Sequence, residues 1–249
     1  MMRVKLIVAY DGTNYNGYQS QVNGTAVQDV LEKAIADLFG RQIRTLGASR
    51  TDTGVHAAGN VAVFDVDSPI EPSRIAFALN ARLPQDIRIL DSEKVPDDFH
   101  PRFQRTVKTY EYHILNRKFP DPLRRNTELH YYYALDADAM DEAARMLMGE
   151  HDFASFAAAG YSSKTTVREI YDAHVTREGD RVTFTITGTG FLYNMVRILA
   201  GTLIEIGAGK YAPEHMRTVL DARNRKAAGP TAPAKGLVLL KIQYPDSEV

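Results

Sequence analysis

The segment GASRTDTGVHA, residues 47–57, is polar and lies between two runs rich in apolar and β-branched residues. Two strands would hold such a loop rigidly, and loops held that way often carry function. Asp52 is its best candidate for covalent chemistry. Arg50 stands two positions earlier, and a guanidinium that near keeps a carboxylate ionised and available as a nucleophile. The plainer alternative is an Asx-turn, in which Asp52 only satisfies backbone donors near Gly54.

A second chemical signal is the basic stretch 102–125. It holds Arg102, Arg105, Lys108, Arg117, Lys118, Arg124 and Arg125, with Phe103, Tyr110, Tyr112 and Phe119 interleaved. Cations for phosphates and rings for unstacked bases are what a single-stranded RNA site requires. A solvated strand face with core aromatics has the same composition, because charge runs are often only solubilising. If 106–115 is a strand, Lys108, Tyr110 and Tyr112 share one of its faces. A third signal is Arg197, inside the apolar run FLYNMVRILAGTLIEIG at 191–207. A buried arginine is costly unless a carboxylate meets it, and Asp52 is a candidate partner. The alternative is an arginine at the helix edge that snorkels to water.

Other signals lead nowhere. GTG at 188–190 lacks the third glycine of a dinucleotide fingerprint. The histidines are scattered without a helical H-x-x-x-H pair, so no metal site is expected. Asp52-Thr53-Gly54 resembles the aspartic-protease triplet, but that chemistry needs two carboxylates sharing a proton, which Arg50 would spoil.

The elements that must position these residues can be read from periodicity. Residues 3–9 alternate as a half-buried strand. Thr25 with Gln28 reads as a capping box, opening a helix whose face is Val27, Val30, Leu31, Ala34, Ile35 and Leu38 and which Gly40 stops. Strands are expected at 43–48, 59–66 and 86–95, with a helix at 72–83 started by Pro72. This order, strand, helix, strand, strand, helix, strand, is ferredoxin-like. The second half repeats it loosely. It has a strand at 106–115, a helix capped by Asp136 and ended by Gly149, and strands at 168–176 and 181–187. A helix at 191–206 follows, then another opened by Pro213, and a closing strand at 237–244. The expected fold class is therefore α+β: two ferredoxin-like units, 1–104 carrying the Asp52 loop and 105–249, their sheets joined side by side around a central cleft.

Composition narrows the class. The chain has 249 residues, 44% hydrophobic and 24% charged, with a net charge of -1. That is ordinary for a globular protein and sufficient for a sizeable core. Any nucleic-acid partner must be met by local patches. There is no cysteine, which excludes disulfides and thiolate catalysis. No run approaches the roughly 18 apolar residues of a membrane span, and no signal peptide is legible, so a cytoplasmic location is expected.

Taken together, these motifs resemble the tRNA pseudouridine synthase A family. Arg50 to Ala57 matches the centre of its core motif. Tyr10-Asp11-Gly12-Thr13 and Gly17-Tyr18-Gln19-Ser20-Gln21 match its opening loop, and residues 25–32 its first helix. Phe99-His100-Pro101-Arg102-Phe103 and Tyr110-Glu111-Tyr112 match its central strand; HDFASF at 151–156, residues 191–207 and Gly236-Leu237 complete the order. Tyr18 departs from the family's usual tryptophan and Ser49 from a common glycine. The resemblance implies a pseudouridine synthase fold and isomerisation of uridine in the anticodon stem-loop of tRNA, at positions 38, 39 and 40. It implies Asp52 as nucleophile, Arg50 in the RNA cleft, Tyr110 stacking on the target uracil and Arg197 pairing with the aspartate. It also implies a homodimer and no cofactor or metal. Lys108 is expected beside a phosphate, on its position in the strand. A non-catalytic RNA-binding module of the same element order is the main alternative. It lacks support in any RNP-like aromatic run, and it leaves SRTDTGVHA without a task.

Overall fold

The computed structural model describes residues 1–160 and 164–245. The chain divides into two compact units: Met1–Thr106 together with the chain from Leu239 onward, and Val107–Val238.

The first unit opens with β1 (Met2–Tyr10), in which Val4, Leu6, Val8 and Tyr10 are buried and their neighbours less so. The alternation read from the sequence is the cause. Helix α1 (Val27–Phe39) buries Val27, Leu31, Ala34 and Ile35. Its cap lies one residue beyond the expected Thr25: Ala26 is the N-cap, and the Asp29 carboxylate accepts the Ala26 N–H at 2.9 Å. Gln28 instead donates to Glu32 and to the Thr45 carbonyl. Strand β2 is only Leu46–Gly47, shorter than the expected 43–48. The Thr45 N–H goes to the buried Glu32 carboxylate (2.9 Å) and not to a strand ladder, which halts the pairing. Then come β3 (His56–Val66), α2 (Pro72–Asn80) and β4 (Ile87–Val95). β4 and β3 flank β1, both antiparallel to it, and β2 pairs with β3. This is the ferredoxin-like order. The closing strand β10 (Leu237–Gln243) follows β3 in the sheet, so most of it belongs with the first unit.

The second unit contains β5 (Val107–Asn116), β6 (Leu129–Tyr131), α3 (Ala137–Arg145), β7 (Gly149–Asp152), β8 (Val167–Glu178), β9 (Arg181–Gly188), α4 (Met195–Gly207) and α5 (His215–Ala222). Its strands run β5-β9-β8-β7, with β6 parallel to β5. β6 and β7 were not legible in the sequence, because three or four residues are too few to display a period. Asp136 caps α3 as expected, its Oδ1 accepting from the Asp138 and Ala139 N–H groups at 3.0 Å each. Helix α3 ends at Arg145, and Gly149 instead opens β7. Helix α4 is buried on almost every side, as its apolar run demands. Among the described residues no helix is long and apolar enough to cross a membrane.

Candidate active site

The Asp52 loop is held by the neighbouring loop at 11–25. Tyr18 N–H donates to the Thr51 carbonyl (3.2 Å) and Gly54 N–H to the Tyr15 carbonyl (3.3 Å). Val55 N–H closes a turn onto the Asp52 backbone carbonyl at 3.1 Å, with Gly54 at φ +77°. A positive φ at the third residue of a turn is where glycine is required. The Gly54 and Val55 N–H groups thus both reach backbone carbonyls.

Below the loop lies a buried polar cluster. The Tyr10 and Thr51 hydroxyls are 2.7 Å apart. Asn60, fully buried, donates to Tyr10 Oη (3.2 Å) and to the Ser49 carbonyl (3.0 Å), and its Oδ1 accepts from Ser49 N–H (3.3 Å). His56 Nδ1 accepts from Gly12 N–H at 3.1 Å. Satisfied buried networks of this kind specify one backbone arrangement. Asp52 itself is half-buried and Arg50 is exposed. Sequence reading passed over Tyr10, His56 and Asn60 as supports. Their signal is polar residues at otherwise apolar strand positions.

Tyr18 is 1% exposed and stacks near Tyr10 with ring centroids 6.2 Å apart. It is a core residue under the loop and does not reach the surface where RNA would lie. Burial raises its pKa, and its hydroxyl, near the Thr45 side chain, makes no bond of good hydrogen-bond geometry among the described residues. An unsatisfied buried hydroxyl costs about 1–3 kcal/mol. Tyr18→Phe is therefore expected to raise the melting temperature and leave tRNA affinity unchanged; a loss of affinity in a binding titration would contradict this placement.

In the second unit, β5 pairs with β9 in unbroken register from Lys108 opposite Gly188 to Leu115 opposite Arg181. Lys108, Tyr110 and Tyr112 therefore share a face, as the strand reading expected. Tyr110 is 7% exposed, and its ring meets Phe191 edge-on at 5.2 Å. Lys108 is half-buried. Arg197 lies in the first turn of α4 and is half-buried, with Nε donating to the Ala232 carbonyl (2.8 Å) and a terminal nitrogen to Asn194 Oδ1 (2.9 Å). The Tyr112 hydroxyl donates to the next carbonyl, Pro233, at 2.8 Å. Residues 232–233 thus tie β5 to α4, and Phe191 ties Tyr110 to the segment that enters α4. Asn194, just before that helix, has φ +59°, a left-handed conformation that a non-glycine residue adopts at some cost.

The basic stretch divides. Arg117 and Arg124 both meet Asp180, at 3.1 and 3.0 Å, and Arg124 also faces Glu128 at 3.7 Å. These cations serve a local ion network. Arg102 and Arg50, in the first unit, have no carboxylate partner among the described residues. Among the described residues no cluster of histidine and carboxylate groups could hold a metal ion.

A family model described as tRNA pseudouridine synthase matches residues 6–104 and 143–245. The chain is 48% identical to tRNA pseudouridine synthase A of Acetivibrio thermocellus, covering 98% of this chain and 100% of that protein. It is 45% identical to tRNA pseudouridine synthase A of Bacillus subtilis, covering 98% and 99%. It is 48% identical to tRNA pseudouridine synthase A of Halalkalibacterium halodurans, covering 96% and 91%.

Proposed function

The chain belongs to the tRNA pseudouridine synthase family, and from that premise we propose how its residues divide the work of the reaction. The protein is an isomerase that converts uridine to pseudouridine in tRNA. The C1′–N1 bond breaks, a C1′–C5 bond forms, C5 loses a proton and N1 gains one, so substrate and product are isomers.

Asp52 is the nucleophile in this reading, attacking at C1′ or at C6 of the ring. The observation that carries it is the bracing of its loop: the turn's backbone bonds and the buried cluster of Tyr10, Thr51, Ser49 and Asn60 fix the backbone on which the carboxylate stands. A fixed attacking group is worth far more than a mobile one. Arg197 stands as the partner that keeps Asp52 ionised, and Arg50 and Lys108 contact phosphate. The target uridines are those of the anticodon stem-loop, at positions 38, 39 and 40, and each must leave its stack at a cost of a few kcal/mol. The site needs no cofactor. A cytoplasmic homodimer contacting one tRNA completes the reading, and sedimentation at assay concentration tests it. The direct test of function is incubation with unmodified tRNA, followed by nucleoside mass analysis and chemical mapping of pseudouridine.

Tyr110 is the residue that stacks on the freed uracil and helps to remove its C5 proton. Its ring is nearly buried against Phe191, so the hydroxyl can be deleted with the ring still in place. Tyr110→Phe is expected to bind tRNA within about twofold of wild type and turn over roughly 10²- to 10⁴-fold more slowly, the usual worth of a positioned acid or base. If Tyr110 is merely a core ring, the melting temperature falls and turnover does not. Full activity in Tyr110→Phe would eliminate proton transfer by this residue.

A further inference from the structure

In the first unit, Phe103 is 83% exposed, which is unusual for a phenylalanine. Its ring does not hang in solvent alone: it stacks on His100 at 4.0 Å between centroids, with 23° between planes. The His100 ring is fixed in turn, because its Nδ1 accepts the Arg102 N–H at 3.1 Å. That bond requires an unprotonated Nδ1, and burial, then the charges of Arg102 and Arg3, depress the His100 pKa and favour the neutral ring. The pair therefore presents one open aromatic face on a rigid backing.

Arg102, which precedes Phe103 in the chain, is exposed. Desolvation lowers its pKa, and so does the charge of Arg50, two residues from Asp52. Neither guanidinium has a carboxylate partner among the described residues, and both are exposed. By contrast, Arg117 and Arg124 in the second unit are matched by acids.

We propose that Phe103, backed by His100, is a stacking platform for an unstacked base of the tRNA, and that Arg102, the preceding residue in the chain, meets an adjoining phosphate. The proposal rests on the reading that RNA lies over the Asp52 loop. An open ring flanked by unmatched cations fits a nucleotide, whose base and phosphate need both. A protein partner would need apolar surface around the ring, and here Arg102 and Gln104 adjoin it in the chain.

The test uses the full-length protein and unmodified tRNA. Phe103→Leu keeps an apolar side chain and removes the flat ring; it is expected to weaken tRNA affinity about five- to hundredfold, the range for loss of one stacked base. Phe103→Tyr is expected to bind within about twofold of wild type. Arg102→Gln is expected to make the dependence of log K on log salt shallower by roughly one. Melting temperatures of all three should match wild type. Wild-type affinity in Phe103→Leu overturns the proposal. So does a change of oligomeric state in that variant with unaltered tRNA affinity, which would make the ring a contact between copies. If wild type itself forms no pseudouridine on this tRNA, the functional reading has failed; if wild type is active while Phe103→Leu binds normally, only the platform has failed.

Discussion

Asp52→Asn is expected to fold as wild type and form no detectable pseudouridine. The substitution exchanges one oxygen for an NH2 group of nearly the same size. Asn is as acceptable as Asp at the start of a turn, and the turn's own bond, Val55 N–H to the backbone carbonyl of residue 52, is untouched. The cluster beneath, Tyr10 with Thr51 and Asn60 with Ser49, is bonded through those residues' own groups. The near-isosteric amide and these intact bonds leave the fold in place. The amide has no anionic oxygen to attack carbon, so the chemical step loses its nucleophile. Removing a nucleophile from a working constellation costs at least about 10⁴-fold in kcat. Single-turnover assays with mass analysis of nucleosides measure the loss, and a thermal melt checks the fold. Asp52→Ala likewise lacks an anionic oxygen and should be equally inactive. Turnover near wild type in Asp52→Asn would sink the mechanism while leaving membership of the family intact.

Gly17→Ala should produce the other large effect, although residue 17 touches no substrate in this reading. Gly17 sits at φ +79°, and a Cβ built there would lie 2.5 Å from the Thr51 carbonyl oxygen and 3.3 Å from the Asp52 carbonyl carbon. A non-glycine residue at such a φ costs about 1–3 kcal/mol. The contact is with backbone, so it cannot be relieved by turning a side chain. The Asp52 loop must shift by several tenths of an ångström or more. Displacements approaching 1 Å cost about 100-fold in rate. Gly40→Ala separates the two causes. Gly40 ends α1 at φ +69° with nothing within 4 Å of a built Cβ. It incurs the conformational strain without the collision. Both variants should melt about 2–12 °C lower, on the scale of roughly 2–4 °C per kcal/mol for a domain of this size. Only Gly17→Ala should lose kcat. Equal activity in the two would show that the loop tolerates displacement, and that its bracing is not what positions Asp52.

The residues and elements differ in how much of this was written locally. The alternation in β1 and the apolar stripe of α1 were legible because each side chain's burial follows from its own period. The Asp52 loop was legible for the complementary reason: a polar run between two apolar ones must be surface loop held at both ends. Family resemblance supplied the roles of Asp52, Tyr110 and Arg197, which composition left open. Tertiary structure decided the rest. Thr45 left the ladder because its N–H meets Glu32, thirteen positions earlier in the chain. Arg117 and Arg124 looked like RNA contacts in the sequence; Asp180, more than fifty positions away, neutralises them. Tyr18, in a Gly- and Asn-rich loop, is buried beneath the Asp52 loop, and Phe103, for which the sequence left an RNA-facing ring and a core ring both open, stands in solvent on a histidine. A side chain's period and polarity state its preference for burial. Which partner meets it, and so whether a charge is neutralised or a ring left open, depends on segments distant in sequence, and that was settled only when the chain closed on itself.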